Sequence, residues 1–330
     1  MRNLMILAAL AILALWSVVG CAGEEEATMD KPLATRLAEA DQAFKNRQYE
    51  EAGAIFEAAA QDARAAGDTE AFVEAAAMRA RSYLILEEAE RGRPWLATAA
   101  EHADAAMPLG WSRYLGVRGR FEWGDDDLEE ATATFLEMYD YCRENELYDR
   151  AVDAAHMIAL TGGQDEKLEW AMRGIEMAEK GNMTGWLGPL WNNLGWDYVD
   201  AGRYDEGREA LEKAREYHYR SPSEIPKLIA DYSVAHVIRL QGDLDGAREA
   251  MRPVFEWAEK LNAEGKPDAI EWVGFSRWEL GEIAIARGEV GLGLGMLKKA
   301  LGELEEADMP AWDEADWQKR NARVEELENK

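Results

Sequence analysis

The sequence has few of the residues that build covalent or metal-centred folds. Its 330 residues include two cysteines and four histidines, which argues against a disulfide scaffold and against a Cys/His metal cluster. Positive charge is also scarce, since 37 lysines and arginines face 65 aspartates and glutamates, for a net charge of −28 at pH 7. Such a surface repels phosphate backbones, so we expect no nucleic-acid partner.

Long apolar runs are confined to the N-terminus. After Arg2 come sixteen residues, 4–19, that are all apolar except Ser17. The run is shorter than the roughly 20 residues of a membrane span and suits the apolar part of a secretory signal peptide. Small residues then lead to Gly20 and Cys21. This order of charge, apolar run, small residues and cysteine resembles the lipobox of bacterial lipoproteins.

The lipobox resemblance implies cleavage before Cys21 and lipidation of its sulfur. Residues 1–20 would be the signal peptide and 21–31 the lipidated cysteine with an acidic tether. The chain would then be lipid-anchored in the cell envelope, and Ala22 favours an outer membrane facing the periplasm, if the cell has one. The alternative is an uncleaved anchor with an incidental cysteine. Cys142, the other cysteine, is predicted to be a small buried residue of a helix.

From Pro32 onward the spacing of apolar residues is helical. The segment Trp191-Asn-Asn-Leu-Gly-Trp-Asp-Tyr198 matches the W-x2-L-G-x2-Y signature of the tetratricopeptide repeat (TPR). Gly202 follows at the turn between two helices, and the small Gly207 and Ala214 follow on the second helix. The chain therefore resembles the TPR family.

Weaker copies of this unit flank it. Their turns fall near residues 124, 163, 202, 242 and 288, at intervals of 39, 39, 40 and 46, which resembles a long-helix variant of the TPR. The interval from 47 to 124 has room for two units, and the hidden turn is predicted near Gly92-Arg-Pro94.

We therefore expect an all-α, TPR-like solenoid of about seven helical hairpins over residues 32–305, wound as a right-handed superhelix. An apolar stripe predicts a C-terminal capping helix over residues 306–330. That stripe consists of Trp312, Trp317, Val324 and Leu327.

No motif for catalysis, a metal or a cofactor is found. The glycine-rich segment 288–299 lacks the preceding strand and the final G-K-[ST] of a phosphate loop. The acidic run 125–127 lacks the spacing of a calcium loop. No nucleophile motif is present. We therefore expect a protein that is not an enzyme, with no catalytic residue, metal or cofactor.

In TPR proteins the first helix of each repeat lines a concave groove. The corresponding positions are predicted to be Asn192, Trp196 and Val199, then Tyr232, His236 and Arg239, then Trp278, Glu282 and Ile285. Trp, Tyr and Arg dominate the energetics of protein interfaces. We predict that a partner binds here, the alternative being that the aromatic residues only pack between helices.

The favoured function is a non-enzymatic, envelope-anchored scaffold or adaptor that binds a partner protein or peptide in this groove. An apolar or extended peptide suits the aromatic residues better than a carboxylate terminus does. The alternative is a lipoprotein that binds a glycan or exopolysaccharide through the same aromatic residues. The identity of the partner and the oligomeric state stay open.

Overall fold

The computed structural model describes residues 32–162 and 164–329, which form sixteen α-helices and no strand. The signal peptide, Cys21 and the tether, all predicted from the sequence, lie outside these residues. Among the helices described, none is both long and apolar enough to cross a membrane. The chain divides into two compact units, and the boundary between them falls between Met183 and Thr184.

The N-terminal unit contains eight described helices. They are α1 (Leu33–Lys45), α2 (Tyr49–Ala66), α3 (Thr69–Ile85), α4 (Ala89–His102), α5 (Pro108–Gly124), α6 (Leu128–Glu144), α7 (Tyr148–Thr161) and α8 (Gln164–Lys180). Successive helices pack as the hairpins α1–α2, α3–α4, α5–α6 and α7–α8.

The C-terminal unit also contains eight described helices. They are α9 (Thr184–Asp200), α10 (Tyr204–His218), α11 (Glu224–Leu240), α12 (Leu244–Ala263), α13 (Ala269–Ala286), α14 (Val290–Glu306), α15 (Met309–Trp312) and α16 (Glu314–Glu328). The first six form three hairpins and α16 packs on α14. The described residues thus form seven hairpins and a capping helix, which confirms the predicted fold class.

Glycines make the turns within the hairpins of the C-terminal unit. Gly202, Gly242 and Gly288 have φ angles of 72°, 88° and 85°, in the left-handed region that ends many helices and suits a residue without Cβ. These are three of the turn positions that the repeat spacing predicts. The longer interval before Gly288 contains the 20-residue helix α12.

The turn predicted at Gly92–Pro94 is wrong, because these residues lie inside α4. The chain turns instead at Glu87, with a φ of 61°, where no glycine marks the position. Gly92 is small for another reason: a Cβ there would lie 2.8 Å from both the Ala80 carbonyl oxygen and Phe121 Cζ. It lets α4 approach α3 and α5 closely.

The TPR signature places two backbones in contact. A Cβ on Gly195 would lie 2.5 Å from Leu211 Cγ, and one on Gly207 would lie 2.9 Å from Val199 Cγ2. Leu194 is fully buried beside them. The small residues of α9 and α10 therefore allow the close approach that the motif predicts.

Cys142 is fully buried, as predicted, and has a free thiol. Burial raises the pKa of this thiol to about 12, so it is protonated and unreactive at neutral pH.

The capping helix closes the C-terminal unit. Val324 and Leu327 on α16 are buried against Trp278 of α13 and against Leu297 and Ala300 of α14. Trp317 is only partly buried. The last hairpin thus gains an apolar cover and a charged outer face, as terminal units of repeat proteins require.

The Gly195→Ala variant should be destabilised by about 1–3 kcal/mol, because the added methyl group must displace Leu211. Gly295→Ala is the matched control: nothing lies within 4 Å of its Cβ position, so the loss of helical glycine should stabilise it by about 0.5–1 kcal/mol. Urea unfolding followed by circular dichroism measures both, and equal effects would contradict the close approach.

Candidate functional site

The predicted groove residues lie on the first helices of the three C-terminal hairpins. Each of Trp196, His236 and Glu282 lies six residues before the glycine of its turn. One helical turn earlier on the same helices are Asn192, Tyr232 and Trp278. The three helices therefore present equivalent positions of the repeat.

These side chains differ in exposure. Tyr232 and Trp278 are each 7% exposed, and Asn192 is 8% exposed. Trp196 is only partly buried. Tyr232 and Trp278 therefore pack between helices, and little of either ring is left for a partner.

His236, Arg239 and Glu282 are partly buried. Together with Trp196 and Ile285, which are also partly buried, they are the predicted groove residues with surface left for a ligand.

A buried carboxylate holds the centre of this site. Glu279, on α13, is 3% exposed. It accepts hydrogen bonds from Arg239, at 2.5 Å from Nε and 3.3 Å from Nη2. His236 Nδ1 lies 3.0 Å from Glu279 Oε1, without the direction of a good hydrogen bond. Glu279 thereby fixes two predicted groove residues of α11 from the next hairpin.

Electrostatics keeps this centre ionised. Burial by itself would raise the pKa of Glu279, but His236 and Arg239 outweigh it and lower this pKa to about 2. Burial would lower the pKa of Arg239, and Glu279 raises it. The pair is therefore charged across the physiological range.

Two predicted residues are covered by the capping helix. The guanidinium of Arg320 lies 4.6 Å from the ring centroid of Trp278. Arg323 donates hydrogen bonds of 3.0 and 3.1 Å to Glu282. A partner would therefore meet Glu282 as one half of an ion pair.

Aromatic residues that the sequence analysis did not assign to the groove extend the site. The ring of Trp272 lies 5.3 Å from that of Tyr232 and 5.5 Å from that of Phe275, and Phe275 lies 6.4 Å from Trp312. Trp272, Phe275 and Trp312 are partly buried. Trp272 and Phe275 are three residues apart on α13, a spacing that places them on one helix face and could have identified them. The ring of Trp196 lies 5.3 Å from that of His236.

His102 and His218 serve separate packing roles. His102 packs edge-on against Phe72 with ring centroids 5.3 Å apart. His218 lies beside Gly188, and burial lowers its pKa. No group of three or more His, Cys, Asp or Glu side chains in the described ranges is arranged to hold a metal ion.

A concave surface lies on α10, α11 and α12. Its volume is about 710 Å³, and its lining includes Arg215, Val234, Ile238, Pro253 and Trp257. Pro253 lies inside α12, and as a proline it has no backbone N–H to donate to a helical hydrogen bond. The volume is that of a small-molecule site, and nothing in the sequence pattern identified it.

Solved structures resemble this chain in fold. RapI in its apo form has a TM-score of 0.68 at 10% identity, over 88% of this chain and 85% of RapI. A signal-transduction ATPase with a TPR sensor, from Pyrococcus horikoshii, has a TM-score of 0.65 at 16% identity. BtubC from P. vanneervenii has a TM-score of 0.53 at 15% identity, over 72% of this chain and 94% of BtubC.

These similarities establish a TPR-like repeat fold. The match to the Pyrococcus protein covers 86% of this chain but only 44% of that protein. No family model and no curated protein matches the sequence.

The Glu279→Gln variant should lose about 3–5 kcal/mol at pH 7, because Arg239 keeps its place without a counter-charge. The pKa of Glu279 is about 2 in the folded chain against an ordinary 4.5. Its contribution is therefore complete above pH 4.5 and is lost as the pH falls toward 2.

Urea midpoints of both proteins between pH 7 and pH 3 measure this difference, which should shrink with acid. The control is Glu256→Gln, whose ion pair with Arg252 is 61% and 74% exposed. It should change stability by less than about 1 kcal/mol. A constant difference across the pH range would exclude Glu279 as the ionised centre.

Proposed function

We propose that the chain is a non-enzymatic scaffold, lipid-anchored in the cell envelope through Cys21, that binds a protein or peptide on the first helices of its C-terminal unit. The observation that carries this proposal is the partly exposed aromatic surface of Trp196, Trp272 and Phe275, which the rings of His236 and Tyr232 connect. We name it the aromatic face.

The chemistry of the aromatic face suits a protein partner. Trp and Arg bury much area on binding and are enriched at interface hot spots. Buried Glu279 already orders Arg239 and the neighbouring His236. The side chains that a partner would contact are therefore already restricted to few rotamers. Binding then costs less conformational entropy.

A scaffold role also fits the charged groups. The carboxylates with strongly lowered pKa values, Glu279 and Asp153, are engaged by arginines rather than poised for proton transfer. The Pyrococcus neighbour has a tetratricopeptide repeat sensor.

The envelope anchor rests on the N-terminal sequence. Arg2, the apolar run 4–19, Gly20 and Cys21 follow in the order of a lipoprotein signal. A thioether-linked diacylglyceryl group with a further acyl chain would hold the protein far more firmly than one chain. Ala22 favours the outer membrane facing the periplasm.

The double variant Trp196→Ala, Trp272→Ala should lose the partner, because it removes two large contact surfaces while leaving the Glu279 centre in place. In-cell crosslinking followed by affinity capture of the full-length protein measures recovery, and circular dichroism checks helicity. The matched control, Trp257→Ala, removes a tryptophan from the α10–α12 cavity instead.

Recovery of the same partner by the double variant and the wild type would reject the aromatic face. Loss of the partner with Trp257→Ala, but not with the double variant, would assign the binding site to the α10–α12 cavity. Tryptophan fluorescence titrated with cell-wall fragments tests the glycan alternative, which gains support only from a shift that the double variant lacks.

Replacing Cys21 by serine should abolish lipid attachment, because the hydroxyl cannot form the thioether. The wild type should fractionate with membranes and carry a lipid-sized mass increment on its N-terminal peptide, while Cys21→Ser should carry none. Cys142→Ser is the control and should stay lipidated. An unmodified Cys21 in the wild type would refute the anchor.

A further inference from the structure

The α10–α12 cavity is a candidate binding site separate from the aromatic face. α10 and α12 are the second helices of two successive hairpins, and both pack on α11, the first helix of the later hairpin. The cavity of about 710 Å³ lies on these three helices. The aromatic face, in contrast, lies on the first helices α9 and α13.

The two walls of the cavity differ in chemistry. α12 supplies an apolar wall, one helix face that consists of Ala250, Pro253, Val254 and Trp257. α10 supplies a charged wall that consists of Arg208, Glu212, Arg215 and Glu216. Between them lie the buried Val234 and Ile238 of α11. A matching ligand would have an apolar side and a charged side.

The size of the cavity fits a small molecule. Ligand pockets measure about 300–1,000 Å³, whereas a stable protein interface buries about 800 Å² on each partner, more than one cleft of this kind offers. Tyr219 at the end of α10 is 50% exposed, and Trp257 is partly buried. The cavity is therefore open to a ligand from solvent.

The lining has more carboxylates than guanidinium groups, three against two. One of the two arginines is engaged: Arg208 donates hydrogen bonds of 2.9 Å to Glu212 and 3.4 Å to Gln241. The other, Arg215, has its Nη1 4.0 Å from Asp231 Oδ1, too far for a hydrogen bond. The excess charge of the lining is one negative unit.

Two carboxylates keep capacity for a positive group. Asp231 is 24% exposed, and its Oδ2 accepts a 2.6 Å hydrogen bond from the hydroxyl of Tyr219. Burial and Asp231 raise the pKa of Tyr219 to about 12, so this hydroxyl keeps its proton and holds the carboxylate in place. Within the described residues, Asp231 Oδ1 accepts no hydrogen bond and the exposed Glu216 has no ion pair. Lys227 approaches the ring of Tyr219, at 5.9 Å from its centroid, rather than either carboxylate.

We propose that the α10–α12 cavity binds a small organic cation, an ammonium compound with an apolar body. The ammonium group lies at Asp231 and Glu216, and the apolar body lies against Val254 and Trp257. This site goes beyond the proposed function and rests on none of its residues.

Charge selects the cation over other ligands. A single positive charge balances the excess negative charge of the lining, and the face of Trp257 also attracts a cation. A neutral ligand would displace water from Asp231 without replacing its hydrogen bonds, and an anion would be repelled. The net charge of −28 of the whole chain raises the local concentration of cations.

The N-terminal unit contains a smaller cavity that lacks the acidic groups. Its volume is about 220 Å³, and it lies on the second helices α2 and α4 and the first helix α3. Both cavities lie beside a second helix with an internal proline, Pro94 or Pro253, and both have a tryptophan in the lining, Trp95 or Trp257. The charged residue of the smaller lining is Arg64, so this cleft offers nothing to a cation and supplies a matched control.

The experiment compares three indole compounds that differ in charge: tryptamine, the neutral tryptophol and the anionic indole-3-propionate. Each is titrated at pH 7 into the full-length protein in a nonionic detergent and followed by ligand-observed NMR, with protein-free micelles as the blank. Tryptamine should bind about fivefold more tightly than tryptophol, since a partly exposed ion pair contributes up to about 1 kcal/mol. Indole-3-propionate should bind more weakly than either.

The acidic variants test the charged wall. Asp231→Asn should weaken the binding of tryptamine about fivefold and leave that of tryptophol unchanged. Glu216→Gln should weaken the binding of tryptamine about twofold. The control is Glu209→Gln, which removes the same charge from α10 at an exposed residue outside the lining and should bind as the wild type does.

The tryptophan variants test the apolar wall. Trp257→Ala should weaken tryptamine and tryptophol alike, and Trp95→Ala in the smaller cavity should change neither. Circular dichroism checks the helicity of each variant, and the two acidic variants decide the outcome if Trp257→Ala misfolds.

Equal binding of tryptamine and tryptophol overturns the proposal, as does tighter binding of indole-3-propionate. A preference for tryptamine that Asp231→Asn leaves intact also overturns it, and so does the absence of tryptamine binding. None of these outcomes bears on partner capture by Trp196 and Trp272, because the titration contains no partner.

Discussion

Several hairpins depend on two helices approaching until the backbone of one touches side chains of the other. Gly195 meets Leu211 in this way and Gly281 meets Leu297, where an added Cβ would lie 2.5 and 2.7 Å away. In the N-terminal unit a Cβ on Gly119 would lie 2.8 Å from Phe135 Cζ. Because these contacts make the core of the hairpin, the rest of the first helix is free to carry polar or aromatic residues that the core does not need.

Both units use that freedom by burying charge. Glu279 in one unit, and Glu74 and Asp153 in the other, each bind arginines from a different hairpin. Buried ion pairs add little net stability, because desolvation offsets the attraction, but they are costly to break. Their effect is to fix the register of neighbouring first helices. The side chains around them, such as Trp196, are thereby held in one arrangement before any ligand arrives.

The sequence predicted what depends on local spacing. Helical periodicity and the glycines at 202, 242 and 288 gave seven hairpins correctly, because each turn there requires a positive φ. The turn at Glu87 was missed because a non-glycine residue adopts that conformation. The pairing of Arg239 with Glu279 was also missed, since partners 40 residues apart leave no trace in a periodic pattern. The burial of Trp278 was missed because it depends on where α16 packs.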